Sequence, residues 1–178
     1  MRSNLLINKK ESGFTLIETM IIAAILAILA GVAIPAFTQW LPNYRLRSAA
    51  QDFYSNLQSA KMEAVKANAS RSVVFDPLNN RYTKADGTTV VSLDEYNSDV
   101  SFGKGNATLQ ADNVSLLGSD YVIFDPTDNE AIFNSRGMCE SSGYIYITNS
   151  KDTAYAIGTL ASGVILLRKW NESSNLWE

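Results

Sequence analysis

The sequence predicts an α+β protein in which one long N-terminal helix packs on an antiparallel β-sheet domain. Three observations carry that prediction. Residues Phe14 to Phe37 form an apolar run with a single charge, Glu18. Apolar residues then recur at three- and four-residue steps as far as Asn68. Beyond Ala69 the chain breaks into short β-type runs separated by Gly, Asn, Asp and Ser.

The apolar run is about 24 residues long, or roughly 36 Å as a helix, enough to cross the hydrocarbon core of a bilayer. Small Ala and Gly residues are spaced among its Ile and Leu. In lipid, small residues let helices approach closely, which suits a core of bundled helices. Pro35 removes one intrahelical hydrogen bond and is expected to bend or loosen the helix, with Pro42 as a second weak point. Arg2, Lys9 and Lys10 precede the run, so the N-terminal end should stay cytoplasmic and the rest should face out.

From Asn43 to about Asn68, Leu46, Ala50, Phe53, Leu57, Ala60 and Ala64 define one apolar face. Arg45, Arg47, Gln51, Asp52, Gln58, Lys61, Glu63 and Lys66 fill the positions between. This is an amphipathic helix, expected to continue the apolar helix beyond Pro42 as one long bent rod. The stripe lasts under four heptads, so the natural cover for it is the rest of the chain rather than a coiled-coil partner.

Candidate strands are Ser72–Phe75, Arg81–Thr83, Thr88–Val91, Val100–Phe102, Val114–Leu117, Tyr121–Phe124, Ala131–Phe133, Tyr144–Thr148, Ala154–Ile157 and Val164–Leu167. Asp86-Gly87 is a hairpin signal, and Leu78-Asn79-Asn80 and Asp125-Pro126-Thr127-Asp128-Asn129 read as turns. Hairpin-length connections favour antiparallel pairing, arranged as two small sheets.

Composition excludes several functions. The chain of 178 residues has no histidine, so Ser-His-Asp and Cys-His catalysis and histidine zinc sites are ruled out. No P-loop or dinucleotide fingerprint is present. No enzymatic activity, cofactor or metal is expected. Asp125, Asp128 and Glu130 could ligate calcium through oxygen, but they lack the dense ligand spacing of a calcium loop. Arg168, Lys169 and Trp170, with Arg136, could form a basic-aromatic spot for DNA, although such a cluster reads more simply as a solvated strand end. Cys139 has no partner for an internal disulfide and should be a buried or half-buried thiol.

The segment Lys9-Lys10-Glu11-Ser12-Gly13-Phe14-Thr15-Leu16-Ile17-Glu18 adds a specific signal. A short basic leader stops at glycine; phenylalanine follows, then an acid four positions on, then the apolar run. This order resembles the class III signal of type IV pilins and type II secretion pseudopilins. In the second half, Phe133-Asn134-Ser135-Arg136-Gly137, Gly143-Tyr144-Ile145-Tyr146-Ile147, Ala156-Ile157 and Gly163-Val164-Ile165 resemble the C-terminal strands of the GspH/FimT group of minor pseudopilins and minor pilins. The lone Cys139 departs from the C-terminal disulfide loop that many pilins carry.

The resemblance implies cleavage after Gly13 by a prepilin peptidase and N-methylation of the new terminus, Phe14. Four regions follow: a leader at 1–13, a transmembrane or filament-core helix at 14–37, its amphipathic continuation at 38–68, and a periplasmic β-rich domain at 69–178. It further implies a low-copy filament subunit, part of a tip or initiation complex. The partners would be other pilins or pseudopilins, the inner membrane and an assembly platform, with DNA not expected among them. The 15 basic and 18 acidic residues include three and one, respectively, before Gly13, so the chain from Phe14 carries 12 against 17. That acidic balance argues against general affinity for nucleic acid.

Glu18 has a physical rationale of its own. A lone carboxylate in a spanning helix costs about 2.5–3.5 kcal/mol at the bilayer centre and less near an end. A chain starting at Phe14 would place an α-amino group, with a pKa near about 8, one turn away. A pair at about 4 Å is worth roughly 4 kcal/mol at an effective dielectric near 20, before desolvation. Formed between neighbouring subunits, as the resemblance implies, it would steer assembly. Two other readings are open: Glu18 resting at the headgroup level, and conventional signal cleavage at Gly31-Val32-Ala33. The latter would release a soluble periplasmic binding module starting at Ile34; the same β domain could instead stay membrane-anchored and recognise a ligand or surface, DNA in uptake included.

Overall fold

A computed structural model describes residues 13–178, apart from Ser98 and Asp128. The leader charges Arg2, Lys9, Lys10 and Glu11 lie outside the described residues, as does Asp128 of the predicted turn and candidate calcium loop.

Helix α1 spans Leu16–Ala67. It runs through Pro35 and Pro42 without ending at either, although each proline takes one N–H out of the ladder. The Thr38 hydroxyl donates to the Pro35 carbonyl at 3.0 Å. The helix stops where Asn68 adopts the left-handed conformation, φ 48°. Asn68 N–H then donates to Val65 O and Ala69 N–H to Ala64 O, at 3.3 and 3.2 Å, the paired bonds of a Schellman closure.

The chain divides into two compact units, one ending at Gln39 and one running from Trp40 to Glu178. In the first, every described residue is exposed. In the second, the whole predicted stripe of Leu46, Ala50, Phe53, Leu57, Ala60 and Ala64 is buried, joined by Pro42 and Ala49.

Among the described residues, ten strands follow α1: β1 (Arg71–Asp76), β2 (Arg81–Thr83), β3 (Val90–Ser92), β4 (Val100–Phe102), β5 (Val122–Asp125), β6 (Glu130–Phe133), β7 (Ser142–Asn149), β8 (Ala154–Thr159), β9 (Ile165–Asn171) and β10 (Leu176–Trp177). They form two antiparallel sheets. The first has the order β3-β2-β1-β6, and the second runs β10-β9-β8-β7. On the far side of β7, β4 pairs with residues 147–149 and β5 with residues 142–145, so the two short strands share one edge. Gly143 makes that sharing possible: a Cβ there would lie 1.8 Å from the Ile123 carbonyl oxygen.

The principal core lies where α1 meets both sheets. Phe53 is its centre, with ring centroids 4.3 Å from Tyr82, 6.0 Å from Phe102 and 6.3 Å from Phe75. Phe75 stacks on Phe124 at 5.4 Å. A second cluster holds Ala107, Ala111, Leu117, Tyr146, Ala154, Ala156, Trp170 and Trp177. Trp177 Nε1 donates to Leu109 O at 2.7 Å, and Ala111 N–H donates to the Tyr146 hydroxyl at 3.0 Å.

The predicted strand Val114–Leu117 is not one; only an isolated bridge joins Leu109 to Leu116. The cause is Asp112, whose carboxylate accepts from Val114 N–H at 2.9 Å and from Ser115 N–H at 3.0 Å and hydroxyl at 2.8 Å. Such local bonds compete with a ladder. Val114 and Leu116 are left exposed while Leu117 turns into the second cluster. The Asp86-Gly87 hairpin does form, with Gly87 at φ 71° and Asp86 accepting from Thr88 and Thr89. Hydrogen bonds from the Thr89 hydroxyl and from the Thr89 and Thr88 N–H groups hold the Asp86 carboxyl down at about 2.

Candidate assembly site

The first turn of α1 is built by Thr15. It sits just before the helix and accepts the Glu18 N–H at 3.3 Å through its hydroxyl, satisfying one of the donors that a helix start leaves unpaired. Thr15-Leu16-Ile17-Glu18 has the Thr-x-x-Glu spacing of a capping box. The sequence reading missed this role, although the spacing is visible. Glu18 is therefore the third residue of the helix, where the helix dipole favours negative charge. Thr19 completes the turn, its hydroxyl donating to Leu16 O at 2.8 Å.

From Met20 to Phe37 the helix surface is apolar on all sides. The most apolar 18-residue window in α1 has a mean hydropathy of 2.7, and none of it is buried within the chain. Phe14, Leu16, Ile28 and Val32 are among the most exposed side chains. Length and composition suffice to cross a membrane. Such a surface calls for lipid or other helices.

In the second unit, polar contacts fasten the helix along its length. Asn149 Nδ2 donates to Asn43 Oδ1 at 2.8 Å. Arg45 pairs with Asp99, and the Tyr96 hydroxyl donates to Asp52. Asn56 Nδ2 donates to the Tyr82 hydroxyl at 2.5 Å, and Lys61 Nζ to Gly163 O at 2.9 Å. Burial pushes the Tyr82 phenol up to about 12 against the opposing Asn56 bond. The Tyr96 phenol is also raised, by burial and by its bond to Asp52.

The other sequence candidates are spent on structure. Trp170 is buried in the second cluster, and the Arg168 guanidinium donates to Ala111 O at 2.8 Å. Neither offers the stacking platform that a strand of bases needs. Cys139 is buried, its Sγ 2.9 Å from Ser141 O and 3.0 Å from Thr159 Oγ1, and burial raises its thiol. Among the described residues, no three acidic, cysteine or histidine side chains gather to hold a metal. Thr127 instead closes the 125–130 turn by donating to Glu130 O at 2.7 Å.

Comparisons with known proteins agree with both halves. Residues 8–34 match the prokaryotic N-terminal methylation motif, and residues 49–163 match the type II transport protein GspH family. A type IV major fimbrial protein FimA of Dichelobacter nodosus is 32% identical over 126 residues, covering 60% of this chain and 74% of the relative. A fimbrial protein of the same organism is 30% identical over 147 residues, covering 71% and 88%. Among solved structures, the minor pseudopilin EpsH of Vibrio cholerae aligns with a TM-score of 0.45 at 19% identity, over 69% of this chain and 94% of that one. The type IV minor pilin FimU of Pseudomonas aeruginosa aligns at 0.42 and 17%, over 74% and 92%. With residues 49–163, the end of α1 and most of the β domain, matched to it and a methylation motif at its head, the chain belongs to the GspH family of pilin-like structural subunits.

Proposed function

We propose that this chain is a minor pilin or pseudopilin, a subunit of a type II secretion pseudopilus or type IV pilus. Prepilin peptidase cuts after Gly13 and Phe14 becomes the methylated N-terminus. The subunit waits in the inner membrane with residues 14–37 as its span and its β domain in the periplasm. It then enters a filament through the same helix, as part of a tip or initiation complex. Pro35 and Pro42 loosen the helix for that transfer.

One observation carries this reading: an apolar helical surface, exposed on every side, whose one acidic residue lies a turn from Phe14. A neighbour's new α-amine answers that carboxylate and sets the axial register of entry. The test is Glu18→Ala. Processing should survive, since the scissile bond is untouched, while incorporation into filaments should fail. Normal incorporation of the variant would remove the charge pair from the mechanism.

A further inference from the structure

We infer that Trp40 and Tyr44 form an interfacial anchor that seats the membrane-resident subunit among the phospholipid headgroups of the outer leaflet. The inference rests on the proposed membrane span, whose periplasmic end it defines. The two rings stack with centroids 4.8 Å apart and planes 29° from parallel. They are 55% and 54% exposed, whereas the unit's other two tryptophans, Trp170 and Trp177, are 4% and 3% exposed. The helix face carrying Pro42, Leu46, Ala49 and Phe53 is buried in the domain, so Trp40 and Tyr44, four residues apart, occupy a different face.

Their position names the occupant. They are the first tryptophan and tyrosine after the apolar run, which ends at Phe37. An aromatic body with a polar tip is favoured where hydrocarbon meets water. Spacing supplies a second argument. Glu18 and Trp40 are about 22 residues apart, roughly 33 Å of α-helix, against a hydrocarbon core of roughly 30 Å. Seating Trp40 at the outer headgroups therefore brings Glu18 to the inner headgroups. Its carboxylate stays hydrated in the waiting subunit and loses water only on entry into a filament. The demand for a partner amine is thereby tied to assembly rather than to residence in the membrane.

The full chain, reconstituted in vesicles of phosphatidylethanolamine and phosphatidylglycerol, provides the test. The Trp40 signal is the emission lost in Trp40→Phe, measured with lipids brominated at graded acyl depths. The strongest quenching should come from bromines nearest the headgroups. Strongest quenching from the deepest bromines would overturn the anchor, and so would blue-shifted Trp40 emission with no quenching at any depth, which would assign the stack to a protein contact. Glu18→Cys should react with a small maleimide that reaches both faces of the same vesicles, while the buried Cys139 stays silent; protection of position 18 would contradict the depth argument. Vesicle flotation is read separately. A wild-type chain that fails to float overturns the membrane span itself, whereas one that floats without the quenching pattern overturns only the anchor.

Discussion

The two halves of α1 are one helix with opposite relations to solvent. Up to Gln39 every described residue is exposed, and from Trp40 onward a stripe of eight residues is buried. Both halves are rich in alanine and large aliphatics, so helix propensity does not separate them. The difference is in what covers them. The second half meets two sheets that the same chain folds around it, and its hydrophobic energy is realised on folding. The first half has no such surface within its own unit, so that energy is realised in lipid or against other helices.

The largest expected contrast comes from truncating one apolar side chain in each half. Phe53→Ala removes the centre of the aromatic cluster and should cost about 3–5 kcal/mol of domain stability. Ile25→Ala should change stability by less than about 0.5 kcal/mol, because Ile25 is exposed. Denaturant unfolding of the detergent-solubilised protein reads both; equal costs would break the contrast. A smaller effect is expected where the covering sheet is damaged instead. Gly143→Ala forces a Cβ against the β5 backbone and should cost about 1–3 kcal/mol, with faster amide exchange confined at first to β5 and β7.

Much of this contrast was legible beforehand. A stripe at three- and four-residue steps needs a cover, so Leu46 through Ala64 announced their burial before any surface was known. Alternation and turn residues placed most strands, and Asp86-Gly87 marked its hairpin. What could not be read was where local side-chain bonds outcompete a ladder. Val114–Leu117 looks like a strand until the Asp112 carboxylate is seen taking the Val114 and Ser115 N–H groups. The 3-10 turn at Leu93–Tyr96 arises similarly, with Ser92 accepting the Asp94 N–H at 3.2 Å. Strand β10 is two residues long and exists because Trp177 completes the second cluster, a long-range fact. In the candidate assembly site, Phe14 and Glu18 were singled out by spacing. Thr15 was not, since attention to the charge hid the cap beside it.

Alkali should sharpen the comparison further, because the buried tyrosines lie in the second unit. Burial raises the Tyr82 and Tyr146 phenols from 10.0 to about 12. The unfolded chain therefore releases these protons first. Stability should be unaffected by these groups below about pH 10 and should fall as pH climbs from about 10 to about 12. Tyr82→Phe should flatten that fall in a pH-resolved unfolding series; an unchanged slope would mean the phenol is not shielded.

A small effect, well below those at Phe53 and Gly143, is expected at the Arg45–Asp99 pair, where both side chains are about a quarter exposed. Asp99→Asn should cost no more than about 1 kcal/mol, and the loss should shrink in high salt. A large, salt-independent loss would mean that the pair carries more of the helix attachment than its exposure implies.

The claim beneath all of this is that the exposed half of α1 begins at a new terminus made for assembly. Intact-mass and N-terminal analysis of the protein recovered from cells reads it directly. The account predicts a chain beginning at N-methylated Phe14. A chain that keeps Met1, or one that begins at Ile34, would contradict it.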